Sequence, residues 1–361
     1  MPRPPSGGPS LALDERLATA INARRDLLCR LHAEDTNCYR LLHGVAEGLP
    51  GTTVDRYGPL LLVQTWRQPH PPEALRAAAG LTRELLGLDL AIVERHRGPS
   101  PTATAGPRRR PARDGKPPGP SAAEGSELGL RYDVRPQPDR TDPLLFLDLR
   151  AGRRAILHRA AGISVLNLFA YTCGMGLCAA RAGAKEVWNV DFSASALAVG
   201  RANAARNGID ERRFQLVCED VIPVMRQLAG LPLKGRGARR RNVREFGPRQ
   251  FDLVVMDPPD WSTGPFGAVD IVRDYESLFK PAVLATAPGG WVFATNHAPR
   301  VPRAHWLDRL VRCAAKAGRG VTAIEIVHPE GDFPALGVEP ALKMAWLQVG
   351  TGDRERPAVP P

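Results

Sequence analysis

The chain has 361 residues, 35 glycines, 35 prolines and a formal net charge of +11. Its length is sufficient for about two domains, and it has no apolar run of about 18 residues, which excludes a typical membrane-spanning helix. The positive charge favours a polyanionic partner such as nucleic acid, because arginine and lysine neutralise phosphates.

The amino-terminal residues 1–12 are rich in Pro, Gly and Ser, and we expect them to be disordered. They lack the apolar core of a secretory signal, which predicts a cytoplasmic protein. The six cysteines of the whole chain form no C-x-x-C pair and have no His-rich neighbourhood, so the sequence predicts free thiols and no metal site. Nothing in the sequence defines an oligomeric state.

Residues 13–98 are expected to form a small α+β domain. Apolar residues at helical spacing predict an amphipathic helix over residues 13–31. Short apolar runs between glycine turns then predict strands, and a later segment predicts a helix that ends at Gly87. Residues 99–125, which are basic and rich in Pro and Gly, are typical of a mobile linker or of a segment that contacts RNA.

The stretch Ile163–Gly176 has the pattern of a nucleotide-binding turn between a strand and a helix. Gly174 and Gly176 fit the loose G-x-G-x-x-G/A dinucleotide pattern. In a pyrophosphate turn, however, the glycines follow the strand at once, whereas Ala170–Cys173 intervene here. The longer loop favours S-adenosylmethionine, a ligand with an amino acid and no phosphate, over NAD.

The next two predicted strands are followed by acidic residues. Asp191 ends the first of them, where its carboxylate can accept hydrogen bonds from the ribose hydroxyls of either cofactor, and Ser193 is the expected N-cap of the next helix. Glu219 and Asp220 follow the other strand, where a carboxylate can accept the adenine amino group while the Val221 N–H reaches a ring nitrogen. Capping of the following helix by Asp220 is the alternative, and both roles are compatible.

An arginine-rich insertion, residues 231–249, precedes the fourth strand. A solvated loop is one interpretation of this insertion. The other is a contact with an RNA backbone through Arg239, Arg240 and Arg241.

The fourth strand, residues 251–256, ends in Asp257, Pro258 and Pro259, and Trp261 follows shortly after. The prolines remove backbone donors and keep the backbone extended. We therefore expect carbonyl groups and the Asp257 carboxylate to face the space above the strand end. This arrangement is typical of a site above a methyl donor, and it distinguishes S-adenosylmethionine from NAD.

Together, LNLFAYTCGMG, CEDV, DPPDWS, VRDYESLF and APGGWVFATNH resemble the class I methyltransferase domain of bacterial 23S rRNA base methyltransferases of the cytosine-C5 and guanine-N7 type. The resemblance covers about residues 142–349 and extends into the small domain before it. It implies a seven-stranded Rossmann-like sheet with its last strand antiparallel, in a catalytic domain over residues 126–350. It also implies S-adenosylmethionine as cofactor and ribosomal RNA as partner. Residues 351–361 are expected to be a disordered tail.

The motifs and the resemblance give three sets of candidate residues. The resemblance implies that a Phe-Leu-Asp-x-Arg segment, matched by residues 146–150, caps the cofactor pocket, and that Asp220 takes the adenine role. The cofactor set is Asn167, Phe169, Tyr171, Cys173, Gly174, Gly176, Asp191, Phe192, Ser193, Asp220, Val221 and Asp257. The catalytic set is Asp257, Pro258, Trp261 and Asn296. The substrate set is Phe146, Asp148, Arg150, Arg273, Arg239, Arg240 and Arg241.

Methylation of cytosine at C5 requires a thiolate that first adds to C6. The loop after Asp257 has no cysteine, and neither has the end of the fifth strand, residues 294–297. Cys173 falls in the cofactor loop and Cys313 in the middle of a predicted helix. The sequence therefore disfavours cytosine C5.

Guanine N7 carries an in-plane lone pair and no proton, so alignment with the methyl donor is sufficient and no general base is required. An exocyclic amine would use Asp257 and the Pro258 carbonyl as acceptors, with Trp261 stacked on the base. We expect the order guanine N7, exocyclic amine, cytosine C5. A small-molecule or protein methyltransferase would share the cofactor half of the domain, as would a non-catalytic RNA-binding relative.

Overall fold

The computed structural model describes residues 13–98, 123–136, 142–233, 244–264, 267–335, 337 and 339–350. Residues 1–12, most of the expected linker and residues 351–361 therefore lie outside the described residues, and the expectations for them stay predictions. The chain divides into two compact units. The first runs to Leu147 and includes residues 331–336, and the second comprises residues 148–330 and the chain from Gly337 onwards.

The first unit is built around a four-stranded sheet with helices packed on it. Its elements are α1 (Leu13–Ala23), α2 (Arg25–Ala33), β1 (Cys38–Leu42), β2 (Thr52–Tyr57), β3 (Leu60–Thr65), α3 (Pro72–Leu86), β4 (Ala91–His96), β5 (Glu124–Glu127) and β6 (Leu130–Asp133). The sheet order is β1-β2-β3-β4, with only the β3/β4 pair parallel. Helix α3 ends at Gly87, whose φ of 66° is the left-handed conformation that glycine adopts at low cost.

The prediction of a single helix over residues 13–31 is wrong, because the chain forms α1 and α2 with a break at Arg24. The Arg24 side chain is buried, and its guanidinium donates to the Ala20 carbonyl at 3.1 Å and to the Glu47 carboxylate at 2.5 Å. A buried guanidinium requires such partners. The break in the helix therefore coincides with an ion pair that the apolar spacing does not reveal.

The hairpin β5–β6 belongs to the first unit, whereas the catalytic domain was expected to begin at residue 126. The Asn37 side chain accepts the Ser126 N–H at 2.7 Å, the Ser126 carbonyl accepts the Asn37 N–H at 2.9 Å, and the Thr36 hydroxyl accepts the Leu128 N–H at 2.8 Å. These bonds attach the hairpin to the segment before β1, so the boundary between the units falls later, at Leu147.

The second unit alternates strands and helices after a 3-10 turn that begins at Leu147. Its elements are α4 (Arg150–Arg159), β7 (Ser164–Leu168), α5 (Gly174–Arg181), β8 (Glu186–Asp191), α6 (Ala194–Arg206), β9 (Phe214–Cys218), α7 (Val221–Leu228), β10 (Phe251–Met256), β11 (Trp261–Gly264), β12 (Gly267–Asp270), α8 (Tyr275–Leu284), β13 (Thr286–Asn296), α9 (Arg303–Lys316), β14 (Val321–Val327) and β15 (Lys343–Val349).

The seven-stranded sheet has the order β14-β15-β13-β10-β7-β8-β9. β13, β10, β7, β8 and β9 are mutually parallel, and β15 is antiparallel to both of its neighbours. This confirms the expected seven-stranded Rossmann-like domain with an antiparallel last strand. The carboxyl ends of the parallel strands meet at one edge of the sheet, where ligands bind in folds of this type.

One element near that edge differs from the expectation. The segment after Pro259 was expected to be a loop, but it forms the hairpin β11–β12, in which Trp261 is opposite Asp270. At the opposite, amino-terminal edge, β13 begins at Thr286, which pairs with Phe251, and the register of the two strands shifts between Phe251 and Leu253. Within the described part of the chain, no helix is long and apolar enough to cross a bilayer.

Candidate active site

The loop between β7 and α5 contains three non-glycine residues in the left-handed region, namely Phe169, Tyr171 and Cys173, with φ values of 57°, 48° and 65°. Each such residue costs about 1 kcal/mol or more and persists only where its surroundings hold it. Two bonds brace the loop, from the Ala170 N–H to the Val190 carbonyl at 3.0 Å and from the Cys173 N–H to the Ala170 carbonyl at 2.7 Å. Strain of this kind concentrates in loops that clamp ligands.

The Asp191 carboxylate holds this loop against the end of β8. One oxygen accepts the Tyr171 N–H at 2.8 Å and the other accepts the Ser193 N–H at 2.8 Å. A carboxylate has about four acceptor positions in all, so it can accept several donors at this end of β8. Ser193 caps α6 by accepting the Ala196 N–H at 3.3 Å, which confirms its expected capping role.

Asn167 and Gly176, two of the predicted cofactor residues, both contact the Asn189 side chain. The Asn167 side chain donates to the Asn189 Oδ1 at 2.9 Å, across the β7/β8 pair. A Cβ on Gly176 would lie 1.9 Å from the same oxygen, so only glycine fits this first turn of α5. These contacts explain both residues structurally, and their expected cofactor contacts stay predictions, as does that of Gly174 in the same turn.

The edge beyond β8 and β9 has the chemistry that a nucleoside requires. Phe192, directly after Asp191, is 70% exposed. Asp220 accepts the Ile222 N–H at 2.9 Å and caps α7, whose first residue is Val221. The capping interpretation of Asp220 is thus confirmed, and an acceptor, an exposed ring and a helix N-terminus follow one another along this edge.

At the same carboxyl edge of the sheet, beyond β7, Asp257 meets the last residues of β13. The register pairs Met256 with Ala294, so Asp257 lies beside Thr295. Its Oδ1 accepts hydrogen bonds from the Thr295 hydroxyl and from the His297 Nε2, the latter at 2.8 Å. Neither Thr295 nor His297 was among the residues predicted for the site. Their position at the end of the strand that pairs with the Asp-Pro-Pro strand was the available signal.

The surroundings of His297 favour the cationic form of its imidazole. Burial lowers its pKa, but the Asp257 carboxylate outweighs burial and, together with Asp148 and Asp260, raises the pKa of His297 to about 9. Asp257 and His297 therefore form an ion pair at the edge of the sheet.

Asn296, expected to be catalytic, is fully buried between Thr295 and His297. Its Oδ1 accepts the Ala298 N–H at 2.9 Å, and its Nδ2 has no hydrogen-bond partner among the residues that the structure describes. The structure thus shows a role for Asn296 in the turn that follows β13. Its catalytic role stays a prediction.

Trp261 and Arg273 lie near one end of the β11–β12 hairpin. Trp261 is 64% exposed, and the Arg273 side chain is 87% exposed with its Nε 3.7 Å from Asp270. An exposed ring and an exposed guanidinium fit the stacking and phosphate roles expected of them. These roles stay predictions, as does the role of Pro258.

Of the remaining substrate candidates, the structure describes Phe146, Asp148 and Arg150. Arg150 is fully buried and its Nε lies 2.7 Å from Glu330, a position that favours a structural role over the expected substrate contact. Burial alone would raise the pKa of Glu330, but Arg150 and then Arg154 outweigh it and lower that pKa. Phe146 belongs to the first unit and Asp148 to the second. Arg239, Arg240 and Arg241 lie outside the described residues.

The two thiols considered for covalent catalysis are both buried. Burial, and then the Asp191 carboxylate, raise the pKa of Cys173 far above the usual thiol range. Burial and Glu276 raise the pKa of Cys313 to about 11, and its Sγ donates to the Glu276 carbonyl at 3.5 Å. Neither thiol is therefore an activated nucleophile at neutral pH.

Known proteins are similar to this chain in sequence or in fold. The chain is 29% identical over 331 residues to the Ribosomal RNA large subunit methyltransferase I of Aeromonas salmonicida, covering 88% of this chain and 75% of that one. The crystal structure of SMU.776 complexed with SAH superposes with a TM-score of 0.72 at 22% identity, over 95% of this chain and 83% of that one. A SAM-dependent methyltransferase from Agrobacterium tumefaciens gives 0.56 at 17% identity, over 87% and 90%.

The family profile described as S-adenosylmethionine-dependent methyltransferase matches residues 120–347, more than half of the chain. This match agrees with the strained loop, with the acidic residues at the ends of β8 and β9, and with the Asp-Pro-Pro end of β10. The chain therefore belongs to the family of S-adenosylmethionine-dependent methyltransferases.

Proposed function

We propose that this methyltransferase modifies a base of ribosomal RNA, most readily a base of the 23S rRNA. Guanine N7 is the first candidate atom, an exocyclic amine the second and cytosine C5 the third. The relative from Aeromonas salmonicida, whose printed name is Ribosomal RNA large subunit methyltransferase I, supports the substrate class. The observation that carries the choice of atom is the burial of Cys173 and Cys313, which raises the pKa of both thiols and disfavours covalent catalysis at cytosine C5.

The residues at the edge of the sheet fit S-adenosylmethionine. When bound, this cofactor supplies an electrophilic methyl group on its sulfonium. Asp191 would accept the ribose hydroxyls, Phe192 would face the adenine ring, and Asp220 with the Val221 N–H would bind the edge of that ring. Asp257 would lie beside the reacting groups, because it ends the strand next to β7.

The protonation state of His297 bears on the target atom. The raised pKa of His297 disfavours it as a general base, so an exocyclic amine would depend on Asp257 and the Pro258 carbonyl as acceptors. Guanine N7 loses no proton when it is methylated, so it requires only alignment, which supplies about 7 to 11 kcal/mol in well-oriented reactions. Trp261 would stack on the base and Arg273 would contact a phosphate.

A tritiated-methyl assay tests the proposed function. Protein-free 23S rRNA and intact large subunits, both from a strain that lacks the gene, are incubated with the enzyme, and the labelled nucleoside is identified after digestion. We expect label in a methylated guanosine of one of the two substrates. No label in either RNA would favour the small-molecule or protein methyltransferase interpretation.

Loss of the buried thiols is expected to leave the reaction largely intact. Cys173→Ala and Cys313→Ala should keep methyl transfer within about tenfold, roughly 1.4 kcal/mol, because neither thiol takes part in bond formation. Thermal unfolding of each variant identifies any loss that comes from a cavity in the core. A stable adduct with RNA that contains 5-fluorocytosine would contradict this expectation and favour cytosine C5.

Neutralising Arg239, Arg240 and Arg241 to glutamine is expected to weaken RNA binding and to reduce its salt dependence. Each lost phosphate contact lowers the logarithmic salt slope by about 0.7 to 0.9, while the affinity for S-adenosylmethionine should not change. Filter binding across a salt series measures the slope. The matched control changes the same arginines to lysine, which keeps the charge. An unchanged slope in the glutamine variant would show that the insertion is a solvated loop.

A further inference from the structure

We propose that His297 is a positioning residue for methyl transfer, which together with Thr295 holds one oxygen of Asp257 so that the other is presented to the reacting groups. This inference rests on the proposed function, because it assumes that Asp257 lies beside the transferred methyl group. His297 itself touches Asp257 and acts through it.

The hydrogen bonds at Asp257 are asymmetric. Both donors, the Thr295 hydroxyl and the His297 Nε2, converge on Oδ1. Within the described residues, no hydrogen-bond donor contacts the Oδ2 of Asp257. The side chain of Asp257 is 17% exposed, so the carboxylate is neither sealed in the core nor free to rotate in solvent. Two donors on one oxygen fix the carboxylate plane and leave the second oxygen as the available acceptor.

The turn that carries His297 is held by hydrogen bonds to the N–H and to the carbonyl group of the next residue, Ala298. The Asn296 Oδ1 accepts the Ala298 N–H at 2.9 Å, and the Lys343 Nζ donates to the Ala298 carbonyl at 2.8 Å. Lys343 is the first residue of β15 and pairs directly with Asn296. Both backbone polar groups of Ala298 are thus satisfied by side chains, which leaves the turn little freedom.

Lys343 is itself buried, and its Nζ also donates to the Ala341 carbonyl at 3.0 Å. Burial lowers the pKa of Lys343, against the carboxylates of Glu339 and Asp260, which raise it. Burying a lysine is costly unless its ammonium is bonded. The Lys343 ammonium thus joins the carbonyl groups of Ala298 and Ala341, which ties the turn after His297 to the segment before β15.

The charges that face His297 come from three segments. Asp257 follows β10, Asp260 precedes β11, and Asp148 lies in the 3-10 turn at the start of the second unit. Three carboxylates around one imidazolium favour the charged form of the ring and oppose any rearrangement that would separate it from Asp257. The ion pair therefore persists through neutral pH and is lost as the pH rises through about 9.

Methyl-transfer kinetics over a pH series test the proposal. The wild-type rate should fall above about pH 9, where His297 loses its proton. His297→Gln, which can donate a hydrogen bond but does not titrate, should be about tenfold slower in kcat and should lack this decline, whereas His297→Ala should be about a hundredfold slower. The affinity for S-adenosylmethionine should stay within about threefold in both variants. A His297→Ala enzyme with unchanged kcat, or a His297→Gln enzyme with the wild-type pH profile, would overturn the proposal.

Lys343→Met tests the support of the turn. It should lower kcat in the same direction as His297→Ala, while Lys316→Met, at the exposed end of α9, serves as the matched control and should change nothing. Thr295→Ser should retain activity, and Thr295→Val should lose part of it. Equal rates for Lys343→Met and the control would show that the turn holds its position without the lysine.

NMR titration of the imidazole separates a failure of this inference from a failure of the proposed function. We expect His297 to titrate near pH 9, and an imidazole that titrates at its ordinary value of 6.5 would overturn the inference whatever the substrate is. If His297 titrates near pH 9 while no RNA is methylated, the proposed function fails, but the ion pair between His297 and Asp257 is supported.

The free energy of folding that the His297–Asp257 pair contributes is fully present below pH 6.5 and is lost as the pH rises through about 9. Over that interval the wild-type melting temperature should fall relative to that of His297→Gln.

Discussion

Asp257→Ala is expected to lower the rate of methyl transfer by about a hundredfold to a thousandfold, as removal of a preorganised polar group from an active site commonly does. The variant removes the carboxylate that ends the Asp-Pro-Pro strand and leaves the His297 cation and the Thr295 hydroxyl without their shared acceptor. RNA affinity should be largely retained, because this residue positions one base and contributes little to backbone binding. Single-turnover assays at saturating cofactor measure the loss directly.

The matched control for this variant is Asp308→Ala, which removes a half-exposed carboxylate from α9 whose partner is Arg312. It should reduce neither the rate nor the binding of RNA. A folded Asp257→Ala enzyme that transfers methyl groups within about threefold of the wild-type rate would show that this carboxylate does not act in the reaction.

Asp191→Ala is expected to abolish measurable binding of S-adenosylmethionine. Two hydrogen bonds from ribose hydroxyls to a charged acceptor contribute roughly 1.5 to 3 kcal/mol each, so the dissociation constant should rise at least about a hundredfold. The variant also leaves the Tyr171 and Ser193 N–H groups without their acceptor, which should lower the free energy of unfolding by about 2 to 6 kcal/mol. Isothermal titration and chemical denaturation measure the two effects separately.

Asp191→Asn helps to separate the two causes, because an amide retains one acceptor oxygen but carries no charge. It should recover part of the stability and little of the cofactor affinity. Glu211→Ala, at an exposed turn, is the control. Binding of NAD by the wild-type protein, with S-adenosylmethionine ignored, would contradict the assignment of this site.

Local sequence signals were sufficient to predict features in which a residue and its partner lie in the same segment of the chain. Ser193 caps α6, Asp220 caps α7, and the fourth strand spans Phe251–Met256 as expected. In each case the residue and its partner lie within a few positions of each other. The seven-stranded sheet with its antiparallel last strand was expected from the family resemblance, since local patterns alone do not place β15 between β13 and β14.

The remaining features depend on contacts between distant segments. His297 and Asp257 are forty positions apart and meet only because β10 and β13 are adjacent in the sheet. The hydrogen bond between Asn167 and Asn189 likewise joins residues that are distant in the sequence and meet because β7 and β8 are adjacent. The left-handed residue Tyr171 is not glycine, so no residue type marked its conformation in advance. The β11–β12 hairpin lacks the alternation of apolar and polar residues that would predict it.

Mass spectrometry of rRNA nucleosides tests the central claim most directly. Large-subunit rRNA is compared between a strain that lacks the gene and the same strain carrying either the wild-type chain or the Asp257→Ala variant. We predict that one methylated base, 7-methylguanosine in the favoured case, is absent from the deletion strain and is restored by the wild-type chain alone. Identical methylated nucleosides in all three strains would contradict the claim that this enzyme modifies ribosomal RNA.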